Sequence, residues 1–179
     1  MLRLLVALVG LVGLAVVAGC GAADKAKAPR VESCPPGVAE LRVEDILPEP
    51  PPGTEIIRSD PKGAAQVKDP LRQALGDRLR SIHSRVVAKA GRLYGTGVYV
   101  LNLNQRVNSR QVIIGAQATA KEVGAEPQPF TIAGEDAVLV PQGEGVTASG
   151  VVGECSSVQM MAPTEAQLRV VAEKIRRAE

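Results

Sequence analysis

Phe130-Thr131-Ile132-Ala133-Gly134-Glu135-Asp136-Ala137-Val138-Leu139-Val140 is the stretch that decides the fold. Two apolar runs rich in aromatic and β-branched residues flank Gly134-Glu135-Asp136. Runs of that kind around a short Gly-containing turn read as a β-hairpin, and a hairpin makes its strands antiparallel. Working outward, Gly143-Glu144-Gly145 supplies the next turn, and residues 146–152 and 156–162 read as the last two strands. On the N-terminal side, Gly95-Thr96-Gly97 leads into Val98-Tyr99-Val100-Leu101-Asn102-Leu103. Residues 105–110 form a polar turn, and Gln111-Val112-Ile113-Ile114 opens another strand that runs to about residue 123. The short, even spacing predicts an antiparallel sheet of about five to six strands rather than βαβ units.

Helices flank this run. Asp69 suits an N-cap and Pro70 a first turn, and Leu71, Leu75, Leu79, Ile82 and Val86 fall on one stripe at helical spacing. Gly91 is the stop signal, so a long helix is expected over about 70–90. Its other face would carry Arg72, Arg78, Arg80, Arg85 and Lys89, against Asp69 and Asp77. Such a face is either plainly solvated or turned toward anionic headgroups or an acidic partner. Thr164 and Gln167 make a capping box, and Leu168, Val171, Ala172 and Ile175 give the apolar face of a C-terminal helix over about 164–178. Upstream, Leu41, Val43 and Ile46 are spaced for a short strand or a single helical turn, the strand being favoured, and Pro48-Glu49-Pro50-Pro51-Pro52-Gly53 is a stiff connector. Residues 55–58 suit an edge strand, and Ser59-Asp60-Pro61-Lys62-Gly63 has turn chemistry. The class is α+β, with both helices packed on the sheet.

The N-terminus carries a different kind of information. After Arg3, residues 4–17 have no charge, which fits the apolar region of a signal peptide and is short for a membrane span. The run closes on Val17-Ala18-Gly19-Cys20. This resembles the lipobox of bacterial lipoproteins of the diacylglyceryl type. The resemblance covers residues 1–20 and implies cleavage between Gly19 and Cys20, lipid on the Cys20 thiol and an acyl group on its new amine. It implies a signal peptide at 1–19, a flexible tether at 20–33 and a single extracytoplasmic domain at 34–179. The cell membrane is then the expected location, or an outer membrane where the envelope has two. With Cys20 assigned to lipid, Cys34 and Cys155 are the remaining cysteines, and an oxidising compartment favours their pairing as a disulfide.

Composition narrows the function classes. Beyond the signal segment the chain has 20 basic and 19 acidic residues, so overall charge gives no argument for nucleic acid. With no Trp, two Tyr and one Phe, stacking platforms for bases or sugar rings are scarce. One His and no Cys-x-x-Cys leave no zinc pattern, and Glu40, Glu44 and Asp45 form a carboxylate cluster that could meet a hard cation. No cofactor fingerprint occurs, and Gly95-Thr96-Gly97 precedes a strand where a phosphate cradle would open a helix. His83 is the one candidate for imidazole acid–base work; on a helix, Ser81 and Ser84 would point away from it. Asn102 and Asn104 share a strand face and form a candidate polar binding surface. No catalytic residue is assigned. The expectation is a lipid-anchored envelope protein whose domain binds a protein partner or small ligand. The alternatives are a docking subunit using the basic helix face and, third, a hydrolase built on His83.

Overall fold

A computed structural model describes residues 32–92 and 95–178. The lipobox, the signal segment and nearly all of the tether lie outside the described residues. In chain order the elements are α1 (Val43–Ile46), β1 (Thr54–Arg58), α2 (Pro61–Leu75), β2 (Leu79–Lys89), β3 (Gly95–Leu103), α3 (Ser109–Glu122), β4 (Gln128–Ile132), β5 (Glu135–Gln142), β6 (Gly145–Gly153), β7 (Ser156–Ala162) and α4 (Glu165–Ala172). The seven strands form one antiparallel sheet in the order β1-β2-β3-β7-β6-β5-β4. The expected α+β class and antiparallel pairing hold, with a strand count slightly above expectation.

Strand alternation gives the sheet two apolar faces, and each is covered by two helices. Val98, Val100, Leu139, Ala148, Val158 and Met160 point to one face, where α1 adds Val43 and Ile46 and α4 adds Leu168, Val171 and Ala172. On the other face α2 lays Leu71 and Leu75 on Ile82, Tyr99, Leu101 and Leu103. Beside it α3 sets Ala116 and Ala120 on Val138 and Val140. Each fully buried Val, Leu or Ile contributes about 1.5–3 kcal/mol relative to exposure. The C-terminal helix is as expected at its start, where Thr164 Oγ1 accepts the Gln167 amide. It ends at Ala172, sooner than expected. The last residues leave the helix because they are tied elsewhere: Arg176 N–H donates to the Ile46 carbonyl and Ala178 N–H to that of Val152.

The expected helix over 70–90 is corrected. α2 begins nine residues earlier, with Asp60 as N-cap accepting the Gly63 amide and Pro61 in the first turn. Asp60-Pro61 and Asp69-Pro70 carry the same start signal, and the first is the one used; Pro70 is inside the helix. Gly76, at φ 51° and ψ −132°, ends it. From Leu79 the chain is strand: Ile82, Ser84 and Ala88 lie on the α2 side, and Ser81, His83, Arg85 and Val87 on the other. Ile82 and Val86 fit the helical stripe only because a four-residue step also returns to the same side of a strand.

Two further expectations change. The strand expected from residue 111 is α3, opened by a capping box in which Asn108 Oδ1 accepts the Gln111 amide and Gln111 Oε1 accepts the Asn108 amide. Of residues 41–46, Val43–Ile46 form the helical turn α1, the alternative to the favoured strand. The edge strand expected at 55–58 is β1, and the central hairpin is present as β4–β5. Its turn sits on Ala133 and Gly134, both at positive φ (54° and 78°), the arrangement of a type I′ turn.

Candidate functional site

The segment 38–47 lies across β2 on the α1 face and meets it with charge. Arg80 Nε is 3.1 Å from Glu40 Oε1, and Arg85 Nε is 2.6 Å from Glu44 Oε1. Asp45 accepts the Arg42 amide. Glu40, Glu44 and Asp45 are therefore taken up by side-chain cations and a helix cap and do not form a cation site. Among the described residues, no group of three His, Cys, Asp or Glu side chains is placed to hold a metal ion.

His83 belongs to this cluster. Because it sits on a strand and not on a helix, Ser81 shares its face. Ser81 Oγ is 3.4 Å from His83 Nε2, and Glu40 Oε2 is 3.6 Å from the same nitrogen. Ser81 Oγ donates to Glu40 Oε2 at 2.7 Å and accepts from Asn102 Nδ2 at 3.0 Å. A nucleophile–base–acid relay needs the serine and the carboxylate on opposite ring nitrogens. Here both crowd Nε2, and the serine proton is directed to the carboxylate. The Ser81 hydrogen bond holds the Glu40 carboxyl below its ordinary range, with His83 and Arg80 acting in the same direction and burial opposing them. The arrangement stabilises an ionised Glu40; it does not activate Ser81.

Asn102 is corrected from binding surface to internal strut. It is 2 % exposed. Its Oδ1 accepts from the Leu41 amide and from Ser156 Oγ, and its Nδ2 donates to the Leu41 carbonyl and to Ser81 Oγ. All four amide hydrogen-bonding positions are filled, and no valence is left for a ligand. Asn104 lies beyond the end of β3, where its Nδ2 donates to the Asp77 carbonyl. The two asparagines thus do not form one polar face.

The basic helix face is likewise divided among elements. Arg72 is on α2, Arg78 in the 3-10 turn at Gly76–Arg78, and Arg80, Arg85 and Lys89 on β2. Of these, Arg80 and Arg85 hold Glu40 and Glu44. Cys34 and Cys155, in contrast, are brought together: the Sγ atoms are at bonding distance, with Cα atoms 5.8 Å apart and 121 residues of separation. Cys34 N–H donates to the Asn104 carbonyl, and Arg106 bridges Glu32 and Glu154 beside the pair.

Two open clefts lie beside α4. One of about 540 Å³ lies between the β2–β3 hairpin and α4, lined by Pro51, Pro52, Val87, Gln167 and Val170 among others. The second, about 520 Å³, runs along the β4 edge, where Arg169 stacks 4.9 Å from the Phe130 ring centre. Sequence reasoning missed both, since each is made by elements far apart in the chain. No protein-family model matches this chain, and no match is found among curated proteins or solved structures.

Proposed function

We propose that the chain is a lipid-anchored protein of a bacterial envelope, held in the membrane through Cys20, whose 34–179 domain is a binding or accessory module outside the cytoplasm. The observation that carries the reading is the Cys34–Cys155 pair. It uses the two cysteines that the lipobox leaves over, and a disulfide belongs to the compartment that a lipobox predicts. The arrangement around His83 supports binding over hydrolysis, because Ser81 is hydrogen-bonded to Glu40 and not aligned on a base. Both clefts are open to solvent and next to α4.

Intact mass of protein extracted from bacterial membranes tests this reading. Loss of residues 1–19, a diacylglyceryl-type mass increase lost in Cys20→Ser, and a 2 Da gain on reduction are expected. An unmodified Cys20 thiol in exported protein refutes it.

A further inference from the structure

We propose that the corner between β1 and α2 is a binding site for a phosphate-type oxyanion. A cavity of about 390 Å³ opens there, lined by Arg58, Ser59, Lys68, Arg72, Ser84 and Arg85, with Asp69 the one carboxylate in its wall. The cations come from three elements and line one cavity at the sheet edge, Lys68 and Arg72 from α2 and Arg58 and Arg85 from strand positions that face away from that helix. Arg58 ends β1 directly opposite Arg85 on β2, a like-charge cross-strand pair that is unfavourable unless compensated. Lys68 and Arg72 lie one helical turn apart on α2.

Compensation within the protein is partial. Glu44 takes the Arg85 Nε, and Asp69 lies 3.6 Å from Arg72 with both side chains more than 60 % exposed, a weak pair. Arg58 and Lys68 have no ion-pair partner among the described residues. Four cations against one carboxylate in the wall, with Glu44 drawing on Arg85 from outside it, leave a positive excess that suits an oxyanion. Burial, and then Arg72 and Arg85, push the Lys68 amine below its ordinary value, as expected where cations crowd without an anion.

A second, uncharged feature points the same way. Ser59 Oγ is buried with no hydrogen-bond partner. A buried hydroxyl left without a partner is unfavourable, and an oxyanion would accept its hydrogen bond. Asp60 already takes the Gly63 amide at the start of α2, so the donors on offer are side chains. Guanidinium groups supply paired N–H donors that fit phosphate oxygens, and the lysine adds a point charge. The volume is large enough for a phosphate or a small phosphorylated headgroup. This inference names a ligand chemistry for the binding reading and does not depend on the lipid anchor.

The test uses the full chain in non-ionic micelles, with thermal unfolding followed as sodium phosphate replaces sodium chloride at constant ionic strength. Phosphate should raise Tm saturably. The Arg58→Gln/Lys68→Met double variant should lose at least tenfold in apparent affinity, yet match or exceed the parent Tm without phosphate, because repulsion is removed. Micelles doped with phosphatidylglycerol distinguish the source. If a lipid headgroup fills the site, doping raises Tm and abolishes the phosphate response; if free phosphate does, doping changes neither. A Tm that follows ionic strength alone, or a double variant that responds like the parent, overturns the proposal. Absence of lipid on Cys20 is read separately, by mass, so failure of the anchor reading is not confused with failure of this one.

Discussion

Replacing Asn102 by Ala removes the strut between the N-terminal segment and the centre of the sheet. Four hydrogen bonds disappear: two to the Leu41 main chain, one to Ser81 and one to Ser156. Each contributes about 1 kcal/mol net. Ser81 keeps its bond to Glu40, so its loss is the smallest. The Leu41 amide and carbonyl lose the partners they have in the side chain. The expected loss is about 3–4 kcal/mol, which for a domain of this size lowers Tm by roughly 10 °C. Urea unfolding of the oxidised protein gives the free energy directly, with an unchanged denaturant slope expected. A cycle with Ser156→Ala should show coupling above about 0.5 kcal/mol, since the two side chains share a hydrogen bond. Asn102→Asp should be at least as harmful, because it deletes both donors and places a carboxylate where it is 2 % exposed. A loss below about 1 kcal/mol for the Ala variant would refute the strut.

Three further outcomes follow from the same geometry. Replacing Cys34 and Cys155 together by Ser opens a loop of 121 residues and should lower unfolding free energy by about 4–5 kcal/mol in the chain-entropy treatment, read by denaturant titration. Ala133 carries a side chain at φ 54°, so Ala133→Asn should raise stability by about 0.5–1 kcal/mol and Ala133→Val should lower it, measured as shifts in Tm. Glu40 is held below its ordinary value of 4.5, so it binds its proton later in the folded than in the unfolded state. Its contribution is therefore complete above the ordinary carboxylate range and is lost as pH falls through its lowered value. Glu40→Gln should flatten that part of an acid-unfolding profile; an unchanged profile would count against the Ser81 contact.

What the residues disclosed, and what they concealed, divides along the range of the interactions. The β4–β5 hairpin and the start of α4 rest on neighbours in sequence, so turn and capping chemistry were enough to find them. The helix over 70–90 failed because Asp69-Pro70 copies the signal of Asp60-Pro61, and because a step of four satisfies both periods. The α3 helix is missed although Asn108 and Gln111 have the spacing of Thr164 and Gln167 at α4, because Val112, Ile113 and Ile114 read as strand and residues 105–110 as a polar turn. The candidate sites fared less evenly. The Cys34–Cys155 pairing was legible by count. The burial of Asn102 was not, because its partners lie 61 and 54 residues away at Leu41 and Ser156. The corner at Arg58, Lys68, Arg72 and Arg85 could be assembled only once β1 was known to run beside β2.

The link between Cys34 and Cys155 also sets the path of mechanical tension. A pull on the chain from the N-terminal side reaches Cys34 and crosses the covalent bridge to Cys155 at the foot of β7. Backbone between the two cysteines, which includes α1, β1, α2 and the clamp at Asn102, lies on a bypassed branch. Tension applied between the N-terminal side and the C-terminus would therefore be taken up by β7, α4 and the C-terminal ties to Ile46 and Val152, and would bypass the corner formed by β1 and α2.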